Sequence, residues 1–397
     1  MMRIVHLTSV HCRHDIRIFV KMCRCLAARG HEVHLIAPEG GPGNGGLREG
    51  VHLHLVDRPR NRLQRVLRTS KRVWELAARI PADLYHFHDP ELLLRAVPFQ
   101  RRAGKPVIYD AHEDVRDAVL GKHWIPGMFR RGLSFLTGRM EDRASRRLAA
   151  VVAATPAIAR RFSDHPCCAV INNYPFSAEF EPDRWQPAGA RAPCFAYAGV
   201  ITEIRGVREM IRALPLAGKD TRLAIAGEWL SPQLRQDCAR LPGWPQVDEK
   251  GLLGRAEVRT FLRSAVAGLV LFYPLRNHVQ ARPNKMFEYM SAALPVIASD
   301  FPLWRSIIDG AGCGLLVDPR DPKAIAAAMR WIVEHPDEAR AMGRRGRKAV
   351  TDRYNWEREF PKLLQLYESL TRPTGHGPPV PTPRSKRKEA ARADLTA

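Results

Sequence analysis

The stretch Arg282-Pro283-Asn284-Lys285-Met286-Phe287-Glu288-Tyr289-Met290, running on into Leu294-Pro295-Val296-Ile297-Ala298-Ser299-Asp300, decides how this chain is read. A polar loop feeds a helix whose apolar residues Met286, Tyr289 and Met290 fall at helical spacing, and a short apolar strand from Pro295 to Ala298 follows. Glu288 stands between Phe287 and Tyr289, where a purely structural helix would tolerate Ala or Leu. A carboxylate in such a half-apolar setting accepts hydrogen bonds from a diol such as a ribose. The nearby helix start offers N–H groups and a positive dipole end to a phosphate. Together these features suggest a nucleoside-diphosphate site. The competing reading is that Glu288 only completes a helix cap.

Outward from this segment the chain alternates strand and helix. Apolar runs at Arg3–Ser9, Val33–Ala37, Val51–Val56, Leu84–His88, Pro106–Tyr109 and Ala149–Ala154 read as strands of a first unit. Runs at Phe195–Ala198, Leu223–Ala226, Gly268–Phe272, Val296–Ala298 and Gly314–Val317 read as strands of a second. Helices are expected over Arg17–Arg29, Asp321–Glu334 and Tyr354–Leu370. This rhythm predicts an α/β fold with parallel, doubly wound sheets. The pattern breaks near Asn172-Asn173-Tyr174-Pro175, and Pro187 and Pro193 mark a linker. The expected domains are therefore 1–180 and 190–352, with a basic, disordered tail over 371–397. The run Gly40–Gly46 lacks the Gly-Lys-Ser/Thr ending of a phosphate loop and reads as a connection.

With 397 residues and 45% apolar side chains, each of two domains can bury a core. Lys and Arg number 63 against 41 Asp and Glu, a net of +22, which favours polyanionic partners: phosphate-rich ligands, an anionic membrane or nucleic acid. The eight cysteines form no paired CxxC pattern, so a structural zinc site is not expected and a reduced, cytoplasmic compartment fits. The N-terminus reads as a strand, not a signal peptide, and no run is long and apolar enough to span a bilayer.

The Asn284–Met290 segment resembles the donor-site signature of GT4-type retaining glycosyltransferases, in the bacterial branch that reads Asn-Lys-x-Phe-Glu-Tyr-Met. The resemblance runs from Met1 to about Leu370. It implies the GT-B fold: two facing Rossmann-like domains, an inter-domain cleft, and a terminal helix (353–370) crossing back to the first domain. Gly199-Val200-Ile201-Thr202-Glu203-Ile204-Arg205-Gly206 is similar to the family's Gly-Arg-Leu-x-x-x-Lys-Gly element, which supplies two cations to the diphosphate. Arg205 matches the lysine, but Val200 replaces the arginine, so Lys285 or Arg282 must supply the missing charge. The implied donor-binding set is Gly199, Arg205, Arg282, Asn284, Lys285 and Glu288, with Glu228 and Lys250–Leu253 bordering the base. Gln280 stands where the commoner signature has a first glutamate, a departure that the branch shares.

His112, in Tyr109-Asp110-Ala111-His112-Glu113, follows a strand, where parallel sheets hold ligands. The resemblance places a histidine here beside the transferring sugar, which makes His112 the candidate catalytic residue. The residue-level alternative is a histidine bonded to Asp110 or to a backbone carbonyl. His86-Phe87-His88-Asp89 also follows a strand and resembles the acceptor side, as does the turn Ser9–Arg17. His14, His88 and Asp89 are the acceptor-side candidates. His86 and His88 lack a third ligand at convincing spacing, so no metal and no cofactor are expected.

Two basic amphipathic helices are predicted over Arg58–Arg79 and Met128–Arg147. Each either packs its apolar stripe on the sheet or rests on an anionic membrane. No nucleic-acid motif accompanies the charge. The implied activity is retaining transfer of a sugar from a nucleoside-diphosphate sugar to a saccharide hydroxyl in cell-surface polysaccharide biosynthesis. The acceptor would be a saccharide or a lipid-linked saccharide, handled at the inner face of the membrane. A nucleotide-sugar epimerase and a non-catalytic nucleotide-binding scaffold are the alternatives.

Overall fold

The computed structural model describes residues 1–39, 45–121, 126–180 and 193–372. Most of the Gly40–Gly46 connection, Pro187 and the tail beyond 372 lie outside them. The chain forms two units. The first comprises Met1–Asn173 and takes up the chain again from Arg358; the second runs from Tyr174 to Glu357. The first unit ends earlier than the linker prolines suggest because Tyr174 and Phe180 are already buried in the core of the second.

The first sheet contains β1 (Arg3–Leu7), β2 (Glu32–Pro38), β3 (Gly46–Arg48), β4 (Val51–Val56), β5 (Leu84–Phe87), β6 (Val107–Ala111), β7 (Ala150–Ala153) and β8 (Cys168–Val170). Their order is β3-β4-β2-β1-β5-β6-β7-β8, with only β3 antiparallel to its neighbour. The second sheet contains β9 (Cys194–Ala198), β10 (Arg222–Ala226), β11 (Val247–Gly251), β12 (Ala267–Val270), β13 (Val296–Ser299) and β14 (Gly314–Val317), in the parallel order β11-β10-β9-β12-β13-β14. The central strands are buried on both faces, which is why they read as unbroken apolar runs. In each sheet the connections reverse direction once, at β1/β5 and at β9/β12. Such switch points open a crevice at the carboxyl ends of the strands.

Helix Asn284–Ser291 is fixed beside β9 and β12 by its aromatic face. The Tyr289 hydroxyl accepts from the Ala198 amide at 2.8 Å, and its ring lies so close over Gly268 that a Cβ there would come within 2.1 Å. Trp304 pins the loop before this helix by donating to the Ala281 carbonyl at 2.8 Å. The stretch predicted as one helix over Arg17–Arg29 begins as a π-helical segment, Ile16–Cys23, and continues as Arg24–Ala28. The Asp15 carboxylate caps it by accepting from the Arg17 and Ile18 amides. From Arg358 onward, the last helix (Trp356–Thr371) belongs to the first unit.

Candidate active site

Gly199 follows β9 with φ +118°, in the region that favours glycine. Its own amide is committed to the Ala226 carbonyl at 2.8 Å, so its contribution is the missing side chain: a Cβ there would stand 3.3 Å from Lys285 Nζ. Lys285 is buried, with Nζ 3.6 Å from the centre of the Tyr197 ring and no hydrogen-bond acceptor. Burial, and then the neighbouring Arg205 charge, push its amine well below the usual lysine range, while Glu288 pulls the other way. Arg205 stacks 5.4 Å over Phe272 and donates to the Val200 carbonyl at 3.0 Å. Thr202, in the same loop, has a buried hydroxyl oxygen without a partner.

A buried amine with no acceptor beside a guanidinium, and a buried hydroxyl with no partner, form a donor-rich patch suited to an anion. Of the two candidates for the charge that Val200 lacks, Lys285 is the one that stands beside Gly199 and Arg205. Arg282, the other candidate for that role, donates to the Tyr174 hydroxyl at 2.5 Å and anchors its loop. Asn284 opens the helix, half-buried, where the first N–H groups have no intrahelical acceptor. Glu288 is held by Arg255 at 2.7 Å, and Arg255 also grips Glu179 at 2.7 Å. Sequence reasoning singled out neither Arg255 nor Glu179. Glu228 is exposed beyond β10, and Lys250 on β11 pairs with Asp248.

At the β1/β5 switch point of the first unit, Asp89 accepts from the Thr8 hydroxyl at 2.7 Å and the Ser9 amide at 2.6 Å. Beside it Asp110, at the end of β6, gathers Arg17 (2.9 and 2.8 Å), His88 (3.0 Å) and His112 (3.0 Å). Burial alone would raise the Asp110 carboxyl, but the Arg17 guanidinium and then His112 hold it well below the usual carboxylate range. An ionised carboxylate only accepts, so His88 Nδ1 and His112 Nε2 carry protons. The His112 side chain, bonded to Asp110 through Nε2, is 22% exposed. The bond between His112 and Asp110 that was the alternative to a site role is therefore present, and it orients the ring. Arg17, expected in the loop approaching the ligand, is instead turned inward as the partner of Asp110. His14 is exposed and packs edge-on against Phe19. The residue of that turn that joins the cluster is His11, bonded to Asp15 at 3.1 Å and 3.4 Å from Asp89.

His6 Nδ1 meets His88 Nε2 at 2.9 Å, and His86 Nδ1 meets the Tyr367 hydroxyl of the last helix. His6 is thus the third histidine that spacing did not reveal; its nitrogens lie within 4.8 Å of those of His86 and His88. The donor set suits a divalent transition metal. The charge does not: Asp110, the carboxylate in contact, is already matched by Arg17, and His6 and His88 bind each other.

Burial first, then the neighbouring His88, lowers the pKa of both His6 and His86; burial also lowers that of His88. The unfolded chain therefore binds these protons first. Their stabilisation is complete above about pH 6.5 and is lost as pH falls below it. Burial would lower His11, but Asp15 and then Asp89 raise it, so its stabilisation is complete below about pH 6.5 and is lost as pH rises above that. Unfolding free energy should fall on acidification below about pH 6.5. Calorimetric scans between about pH 7.5 and about pH 5.5 measure it; a flat melting temperature would contradict a neutral buried cluster.

The fold is that of a class, the GT-B glycosyltransferases. Sucrose-phosphate synthase from Thermosynechococcus elongatus superposes with a TM-score of 0.71 at 18% identity, covering 93% of this chain and 99% of that one. Anabaena HepE in complex with UDP-glucose superposes with a TM-score of 0.69 at 14% identity, covering 93% of this chain and 100% of that one. The family models agree. Residues 17–173 match Glycosyltransferase Family 4 and residues 192–335 match Glycosyl transferases group 1, so the chain is a glycosyltransferase of the GT4 type. It is 26% identical to the D-rhamnosyltransferase WbpZ of Pseudomonas aeruginosa over 366 residues, 86% of this chain and 90% of that protein. A glycogen synthase of Mycobacterium tuberculosis matches at 29% identity over 51% of this chain and 48% of its own length. Among the described residues, no helix is long and apolar enough to cross a membrane.

Proposed function

We propose that the enzyme moves a sugar, with retention of anomeric configuration, from a nucleoside-diphosphate sugar to a hydroxyl of a lipid-linked saccharide. The setting is cell-surface polysaccharide synthesis at the inner, cytoplasmic face of the membrane. The observation that carries the donor half is Lys285, a buried amine with no acceptor beside Arg205 and side-chain-free Gly199. Arg205, Lys285 and the Asn284 helix start would take the diphosphate, and the Glu288 carboxylate the ribose. Two cations on the leaving group supply the charge that a metal would otherwise bring, so none is assigned. In the first unit, His112 Nδ1 would position the reacting sugar or the acceptor, while His88 and Asp89 shape the acceptor side. The departing phosphate takes the acceptor proton, so the protein acts by orientation and charge stabilisation.

HepE was solved with UDP-glucose, which supports a nucleotide sugar as donor, and the similarity to a rhamnosyltransferase and a glycogen synthase supports sugar transfer in polysaccharide synthesis. Glu288→Ala tests the ribose assignment. Its partner Arg255 keeps Glu179, so the fold should survive while nucleotide affinity falls on the order of 10- to 100-fold. Unchanged affinity by calorimetry would remove Glu288 from the site. Incubation with donor alone separates the transferase from an epimerase, because only an epimerase converts the sugar without an acceptor.

A further inference from the structure

Helix Gly127–Ser145 is turned inside out. Its buried residues are Ser134, Gly138, Glu141 and Ser145, while Met128, Phe129, Leu133, Phe135, Leu136 and Met140 are 81, 60, 38, 65, 56 and 45% exposed. The inward face is small and polar for a local reason. Ser134 donates to the Arg116 carbonyl at 3.0 Å, and a Cβ at Gly138 would strike the Arg116 side chain at 2.1 Å. Glu141 accepts from Tyr109 at 2.8 Å and pairs with Arg161 at 2.6 Å. Among its described residues the core takes only the small Ala144 from the apolar residues of this helix, and the large ones stay outside, which corrects the expectation that its stripe packs on the sheet. At 100° per residue the six apolar side chains fall on one arc, and Arg139 and Arg143 fall within it. Arg139 lies 5.4 Å over the Phe135 ring. The helix's two acids look elsewhere: Glu141 to Arg161, and Asp142 to Arg116 and Arg161.

We propose that this face is an interfacial membrane anchor, whose apolar side chains enter the acyl boundary of an anionic leaflet while Arg139 and Arg143 meet lipid phosphates. Exposed apolar patches of this kind mark interaction surfaces. The occupant is chosen by charge. A second copy docked on the same face would set these arginines against their own counterparts, whereas anionic headgroups complement them and the +22 net charge. The inference rests on the lipid-linked acceptor for its purpose, since a soluble enzyme must reach a headgroup confined to the bilayer surface. Its physical test is separate from transfer.

The full chain is floated with vesicles of phosphatidylcholine alone and of phosphatidylcholine mixed with phosphatidylglycerol. Binding to the anionic vesicles that weakens with salt is expected, with little binding to the neutral ones. Arg139→Glu with Arg143→Glu should weaken it on the order of tenfold or more, as should Phe129→Ser with Leu136→Ser. Nucleoside-diphosphate affinity, measured in parallel, should stay at the parent value and shows that the variants fold. Equal flotation of parent and variants would overturn the proposal. So would a parent dimer in solution that the serine variant converts to monomer without any vesicle binding.

Discussion

Lys285→Met should leave the melting temperature unchanged or higher and reduce affinity for a nucleoside diphosphate on the order of 100-fold or more. The two effects have one origin. In the resting chain the amine is buried without an acceptor, so an apolar side chain of similar length removes a desolvation penalty of about 1–3 kcal/mol. It also gives up the ring contact with Tyr197, which offsets part of that gain. A structural lysine would behave oppositely, losing stability with no loss in binding. The lowered pKa adds a second signature. An amine held below its usual range takes up a proton when a dianionic diphosphate arrives, so binding should tighten as pH falls. Titrations in two buffers of different ionisation enthalpy read that proton directly in the parent, and Lys285→Met should abolish it.

Asp110→Asn should slow transfer on the order of 1000-fold while leaving donor affinity within about twofold. The amide can donate where the carboxylate only accepts, so the protons on His88 Nδ1 and His112 Nε2 are no longer enforced and His112 can present the wrong tautomer. The same change strips Arg17 of its buried counter-ion, which is destabilising by about 3–5 kcal/mol when one partner of such a pair is removed. Activity and stability separate through His112→Ala, which leaves the Arg17–Asp110 pair in place: it should be slow yet nearly as stable as the parent. A fast His112→Ala enzyme would reduce His112 to one more member of the buried network.

The strands that face helices on both sides were legible because burial on two faces leaves an unbroken apolar run; Phe195–Ala198 and Leu223–Ala226 fall where the sequence places them. The strands that were missed are short or lie at edges. Gly46–Arg48 and Cys168–Val170 have three residues each, and Val247–Gly251 is mostly exposed and polar. The grouping of the residues proposed for the donor was legible because Lys285 and Glu288 are close in sequence and Gly199 and Arg205 share one loop. The first-unit cluster was legible only in fragments. Arg17 and Asp110 are 93 residues apart, and His86 meets Tyr367 across 281, so spacing carries no trace of either pairing. The helix Gly127–Ser145 shows a different limit: its amphipathic period was visible, but which arc faces inward is set by Arg116 and Arg161, which lie outside it.

The most direct measurement is a crystal structure of the full chain with a nucleoside diphosphate bound. The account expects diphosphate oxygens within hydrogen-bond distance of Lys285 Nζ and Arg205, and ribose hydroxyls on Glu288. A nucleotide seated elsewhere, with Lys285 Nζ still lacking an acceptor, would contradict it.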